Sequence, residues 1–168
     1  MNIHQRTRRK LTDSEADAKK YAFLLLSYRS RSEKELQERL EKKGFSVHHI
    51  SGTLRQLKQA GLLDDYALAL DLKRQAFNNK LLGYNSAKQF LLNRGVPNEI
   101  VNTALKYDEE TEAQKIQKLI DKKLKTPGNY SEEKKKKRLW DFLVRKGYTF
   151  STIRNALHNL IQLEEAEK

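Results

Sequence analysis

The side chains best suited to chemistry in this chain are cations, and they recur. A lysine or arginine stands immediately before each of three glycines: Lys43 before Gly44, Arg94 before Gly95 and Lys146 before Gly147. Arg29 and Arg31 flank Ser30 just ahead of Ser32, Lys73 and Arg74 are adjacent, and Arg145 precedes Lys146. Cations grouped at helix junctions reach phosphate oxygens or carboxylates in two-point fashion. A run of five, Lys134, Lys135, Lys136, Lys137 and Arg138, forms an accessory basic patch, and Arg6, Arg8, Arg9 and Lys10 crowd the start. Two such concentrations in a chain of net charge +12 suit a polyanion, most simply nucleic acid. Plainer readings stand beside this one. A cation in the last turn of a helix is stabilised by the helix dipole by roughly 0.3–1 kcal/mol, and charge runs are often solvated faces. Tyr28, Tyr84, Tyr107 and Tyr130 fall near expected helix ends, where they would stack on bases or serve as packing and caps.

Machinery for catalysis is not visible. Asp64 and Asp65 are adjacent at a helix start, so they do not converge on one substrate atom; a helix cap is the better reading. His48 and His49 are adjacent too and cannot form an i, i+4 metal pair. There is no glycine-rich phosphate loop, nucleophile elbow or histidine–glutamate zinc helix. The chain has no cysteine, which removes disulfides and thiolate chemistry and fits a cytoplasmic protein. The expectation is a non-enzyme with no cofactor and no metal. No apolar run approaches the roughly 20 residues of a membrane span, and no apolar signal region follows the basic start.

The elements that must carry these cations come in a repeat. The three glycines are 51 and 52 residues apart. Leu40, Leu91 and Leu143 stand four positions before them, Phe45, Val96 and Tyr148 one after, and Ile50, Val101 and Ile153 six after; Leu54, Leu105 and Leu157 stand ten after. Such a period marks stacked units that bury apolar faces against their neighbours and present extended binding surfaces. An apolar fraction of 38% against 33% charged residues favours several thin cores over one thick one.

The apolar spacing is helical nearly throughout. Ala18, Tyr21, Ala22, Leu25 and Tyr28 form a first stripe. Ser32 with Glu35 makes a capping box, Leu36 and Leu40 face inward, and Gly44 ends the helix. Val47, Ile50, Leu54 and Leu57 lead to Gly61, with Gly52 marking close packing. Asp64 or Asp65 then caps a helix carrying Tyr66, Ala67, Leu70 and Phe77. Ser86 with Gln89 starts the next, and Pro97 suits the first turn of the one after. Near Asp108 a stripe of Ala113, Ile116, Ile120 and Leu124 begins. A breaker cluster at 126–129 follows, then helices from Ser131 to Gly147 and through Ile153, Leu157 and Leu160. The sequence predicts an all-α chain of nine helices in three triplets and no sheet. The boundaries are a basic tail at 1–13, three-helix modules at 14–62, 63–107 and 108–163, and a frayed tail at 164–168.

Several of these residues resemble a known family. The stretch from Leu26 to Leu36, with Tyr28, Arg29, Arg31, Ser32 and Glu35, followed by Leu40 and Lys43-Gly44-Phe45, is similar to the opening module of RecX proteins. Gly61-Leu62-Leu63-Asp64-Asp65 matches that family's acidic junction, and Leu91 with Arg94-Gly95-Val96 and Leu143 with Arg145 to Tyr148 match its later modules. The resemblance covers roughly residues 18–162. It implies an elongated, curved array of three modules, a monomer, that binds the filament of the recombinase RecA on single-stranded DNA. It implies restraint of that filament's ATP hydrolysis, strand exchange and SOS-repressor cleavage, and weak direct binding to DNA. Arg29, Arg31, Lys43, Lys73, Arg74, Arg94, Arg145 and Lys146 would form the binding surface. One departure is Tyr84-Asn85-Ser86 after Gly83, where the family often has proline and basic residues. It counts against a polyanion contact there. Two other classes fit parts of the pattern. Ser32 to Gly61 also looks like a helix-turn-helix of a transcription regulator, and a scaffold binding acidic proteins would share the repeat.

Overall fold

A computed structural model of the protein describes residues 13–124 and 131–166. The basic start and the breaker cluster at 126–129, with Tyr130, lie outside the described residues. Among the described residues every regular element is helical: α1 (Glu15–Tyr28), α2 (Glu33–Lys43), α3 (Val47–Gln59), α4 (Asp65–Arg74), α5 (Tyr84–Asn93), α6 (Asn98–Ala104), α7 (Glu109–Leu124), α8 (Glu132–Arg145) and α9 (Phe150–Ala166). A single π-helical turn, Gln75–Asn79, extends α4. Two compact units divide the chain, Met1–Asp65 and Tyr66–Lys168.

In the first unit α1, α2 and α3 pack on one another. Ala18, Ala22 and Leu25 of α1 meet Leu36 and Leu40 of α2 and Ile50, Leu54 and Leu57 of α3, closed by Phe45 and Leu63. Local chemistry sets the ends. Ser14 Oγ accepts the Asp17 N–H at 3.1 Å and Ser32 Oγ the Glu35 N–H at 3.1 Å. Gly44 ends α2 at φ +96°, in the left-handed region, with its own N–H on Glu41 O and the Phe45 N–H on Leu40 O. Ser46 makes no side-chain cap for α3. The Asp13 carboxylate instead accepts the N–H of Ser46 itself at 3.0 Å and meets His49 Nδ1 at 2.9 Å. The hydrogen bond with His49, then that from Ser46, hold the Asp13 carboxyl below its ordinary range. Gly52 is buried, and a Cβ there would meet only the carboxylate end of the Glu15 side chain at 2.9 Å, a flexible group able to shift aside. Two stripe positions face solvent instead. Tyr28 and Val47 are 74% and 75% exposed, because each sits on a helix terminus beyond the core that Phe45 and Leu63 close.

The second unit holds two apolar clusters. Leu68, Ala69, Leu72 and Ala76 pack with Ala87 and Leu91 of α5 and Val101 and Ala104 of α6. The inward register of α4 is therefore not Tyr66, Ala67 and Leu70, which are exposed; Leu68, Ala69, Leu72 and Ala76 repeat at the same helical spacing, and they are the residues that meet α5 and α6. Ile116, Leu119, Ile120, Leu139, Leu143, Tyr148 and Ile153 form the other cluster, and Leu81 packs on it. Ala113 of α7 is exposed, and Glu112 and Lys115 are buried in its stead. Asp108 caps α7, its Oδ2 accepting the Thr111 N–H at 2.8 Å. α9 continues to Ala166, past the expected frayed tail at 164, because residues 159–166 contain no glycine or proline to stop it.

The helix expected from Ser86 starts two residues earlier, for a tertiary reason. Gly83 N–H donates to Lys146 O at 2.8 Å, Tyr84 N–H to Glu112 Oε2 at 3.0 Å and Asn85 N–H to Gly147 O at 3.2 Å. The amides at the start of α5 are thus satisfied by the carbonyl end of α8 and by a carboxylate of α7, a head-to-tail arrangement of two helix dipoles. Approach this close requires glycine on both sides. A Cβ on Gly83 would overlap the Gly147 and Tyr148 backbone, and one on Gly147 would overlap Ser86. Just upstream, Leu81 is the one non-glycine at positive φ (+48°) among the described residues, and its carbonyl accepts the Tyr148 hydroxyl at 3.1 Å.

Candidate nucleic-acid interface

The cations singled out in the sequence divide into two kinds once placed. The first kind is engaged inside the fold. Arg31 is buried at 8% exposure; its Nε donates to Leu25 O at 3.1 Å and its Nη1 pairs with Glu35. Arg29, itself exposed, joins the same carboxylate at 2.5–2.9 Å, and Arg39 Nε reaches it at 3.2 Å. Burial alone would raise the Glu35 carboxyl; the hydrogen bond from Arg29 and the charge of Arg31, with Arg39, outweigh it and hold the group below its ordinary value. Glu35 was expected to serve the α2 cap, and it also gathers three arginines. Arg31 therefore braces the α1–α2 junction rather than offering its guanidinium to a ligand. Lys146 is half-buried, its Nζ donating to Lys80 O at 2.7 Å and lying 5.7 Å from the Phe142 ring centroid. Arg94 is half-buried at the end of α5. Lys73 lines a small cleft of about 230 Å³ with Phe77, Lys106, Asp108 and Lys115.

The second kind is exposed. Lys43 stands 5.4 Å from the Tyr21 ring, Arg74 pairs with Asp71 on its own helix, and Arg145 lies in the last turn of α8. The densest group is on α8, where Lys134, Lys135, Lys137 and Arg138 are exposed and Lys136 half-buried. The run and Arg145 share this one 14-residue helix, so they span about 17 Å at 1.5 Å per residue. The run occupies the N-terminal half of α8, directly behind Glu132 and Glu133, the residues that complement the helix dipole at that end.

Of the tyrosines, Tyr84 and Tyr107 form an edge-to-face pair at 5.6 Å, and the Tyr107 hydroxyl lies 3.1 Å from Thr152 Oγ1. These two are packing residues. Asp65 acts as a cap, but for α2: its Oδ1 accepts the Glu33 N–H at 2.9 Å. Burial, only partly offset by that hydrogen bond, holds its carboxyl above the ordinary value.

Sequence reasoning missed two features of the second unit. One is the buried Glu112–Lys115 pair, whose signal was two charged residues in the apolar register of α7. The other is the parallel stack of Trp140 on Phe150, at 6.0 Å between centroids and 5° between planes. Its signal was the chain's one tryptophan, lying outside the Leu139–Leu143 stripe.

No helix among the described residues is long and apolar enough to cross a membrane. Residues 18–57 match the family model of the first three-helix domain of RecX, and residues 110–157 that of its third. The regulatory protein RecX of Pelodictyon phaeoclathratiforme is 32% identical over 90% of this chain and 94% of its own length. That of Chlorobaculum tepidum is 32% identical over 87% and 89%. The Oceanobacillus iheyensis protein of the same name is 31% identical over 85% of this chain, which spans 53% of that longer relative. In fold, the crystal structure of RecX from Lactobacillus salivarius superposes with a TM-score of 0.76, covering 88% of this chain and 97% of that one at 23% identity. Segments that match the family's first and third three-helix domains, and two relatives about a third identical and matched over most of their length, lead to one conclusion: the chain belongs to the RecX family.

Proposed function

We propose that this chain is a non-catalytic cytoplasmic regulator that binds the RecA filament on single-stranded DNA. It restrains the filament's ATP hydrolysis, strand exchange and coprotease activity in recombination, DNA repair and the SOS response. The observation that carries the nucleic-acid part is α8. Five consecutive cations, four of them exposed, crowd about one and a half turns of α8, where like charges three and four residues apart oppose one another by a few tenths of a kcal/mol per pair. Placement against the local preference is explained by a polyanionic partner, here the phosphates of a filament-bound strand. The part concerning RecA rests on family membership, since the relatives are named regulatory proteins. Modules bounded near residues 62 and 107 would engage the filament at several points, each raising the effective concentration of the next.

The nucleic-acid surface in this reading is Lys134–Arg138 with Arg145 on α8; the exposed cations Lys43 and Arg74 would each add a contact of their own, and Arg31 is a brace at the α1–α2 junction. The test is ATP hydrolysis by RecA on single-stranded DNA with this protein added below equimolar amounts. Suppression is expected, with no hydrolysis by the protein alone. Replacing Lys134, Lys135, Lys137 and Arg138 by glutamine should remove most of the suppression while circular dichroism stays unchanged. Full suppression by that variant would refute the assignment of α8, and no suppression by the parent, even in excess, would refute the function.

A further inference from the structure

We propose that the stacked Trp140–Phe150 pair and the groove beside it form a platform for an unpaired nucleobase. The strand is taken to be DNA on the strength of the regulatory reading above. Phe150 opens α9 and is 63% exposed, unusual for a phenylalanine already in ring contact. Trp140 lies parallel to it and offset, at 6.0 Å between centroids, which leaves most of the phenylalanine ring open to solvent. An offset parallel stack extends naturally by a third flat ring.

The surroundings select a base over other flat ligands. Beside Phe150 runs an open groove of about 460 Å³ whose walls include Asn85, Ser86, Gln89, Val144 and Thr149. Amides and hydroxyls both donate and accept, as the edges of bases do. This is the segment where Tyr84-Asn85-Ser86 replaces the expected proline and cations. Its chemistry suits a base edge rather than a phosphate. Cations stand on either side instead. Lys136 and Lys137 lie one turn before Trp140 on the same face of α8, and Arg154 lies one turn after Phe150 on α9. Charge flanking an aromatic surface is the arrangement by which proteins hold single strands, with phosphates on the cations and bases on the rings. A duplex hides its base faces and would not use the stack. The groove persists because the Gly83–Gly147 contact pins α5 against the α8–α9 turn.

Trp140 is the chain's one tryptophan, so its emission reports on this site directly. The experiment titrates the full chain with a short oligothymidylate and with an abasic oligomer of equal length, following Trp140 emission and the anisotropy of labelled strand. Saturable quenching by oligothymidylate is expected, with weaker binding and no quenching by the abasic strand. Phe150→Ala should weaken oligothymidylate binding about tenfold, Phe150→Leu should do the same, and Phe150→Tyr should restore it. Lys136→Gln with Lys137→Gln should instead weaken both strands alike and flatten the salt dependence. Equal affinity of the parent for the two strands, or an unaltered affinity in Phe150→Ala, would overturn the platform. The regulatory reading fails separately. Quenching as described with no effect on RecA ATP hydrolysis would leave the platform standing and remove the regulator. Suppression of hydrolysis by a protein whose Phe150→Ala variant binds oligothymidylate normally would do the reverse.

Discussion

Removing one member of the Glu112–Lys115 pair should damage the second unit more than removing both. The two side chains are 2% and 8% exposed, and their charged groups are in contact. Glu112 also accepts the Tyr84 N–H at 3.0 Å. The Lys115 ammonium reaches Leu82 O at 3.3 Å and lies 3.6 Å from the Phe77 ring centroid. Glu112→Leu strands a buried ammonium on one carbonyl and a ring face, at a cost of about 3–5 kcal/mol. Lys115→Met strands a buried carboxylate that keeps one amide, at a cost of about 3 kcal/mol. In the double variant no charge is buried, and the chief remaining loss is the cap on Tyr84, about 1–2 kcal/mol. The double variant is thus expected to be more stable than either single one, with a coupling of several kcal/mol. Urea unfolding followed by Trp140 emission reads this, since Trp140 lies in the same unit. Losses that add to within about 0.5 kcal/mol would refute the reasoning, because they would mean that neither charge depends on the other for its burial.

Gly44→Ala should cost about 1 kcal/mol, since only the left-handed backbone resists the new methyl. Gly147→Ala should add a further 1–3 kcal/mol or so from overlap with Ser86; equal losses in urea unfolding would remove the close α5–α8 contact from the account. Glu35 has its carboxyl held below the ordinary value of 4.5, so the stability it contributes is present above that pH and is lost as pH falls through the lower, folded-state value. Glu35→Gln should therefore lower first-unit stability at pH 7 and flatten its acid limb, read by circular dichroism of acid unfolding. Asp65 carries the opposite sign: burial raises its carboxyl above the ordinary 3.8, so the charge opposes folding at neutral pH. Asp65→Asn keeps an acceptor for the Glu33 N–H and is expected to be neutral or slightly stabilising at pH 7; a clear loss of stability would show that the charge itself is needed.

Helices and their glycine ends were legible because they follow from local rules. Ser32 and Gly44 do their work within a few residues of sequence, where spacing carries the information. What was not legible depends on neighbours far along the chain. The register of α4 is decided by what Leu68 and Leu72 meet on α5 and α6. The start of α5 could not be placed from Ser86, because its caps come from Glu112, Lys146 and Gly147. Among the site residues, charge type was readable and availability was not. Arg31 and Arg145 look alike in the sequence, yet one is enclosed by Leu25 and Glu35 and the other stands in solvent.

The repeat itself shows where this limit falls. Gly44 and Gly147 hold the same repeat position and adopt the same left-handed backbone, at φ +96° and +84°. Nothing lies within 4 Å of where a Cβ would stand on Gly44, while Ser86 occupies that place beside Gly147. One glycine is required by its own dihedral angle and the other by a second helix as well. The lysines before them diverge in the same way, Lys43 exposed and Lys146 drawn to Lys80 O. A repeat in sequence therefore reports the shared need, which is to end a helix. It is silent on what each copy has taken on since. In this chain the third copy has taken on the most: it caps α5, buries an ion pair against the α4–α5 junction, and carries both the basic run and the aromatic stack. If one module meets the nucleic acid, these differences between copies, rather than the motif they share, point to the third.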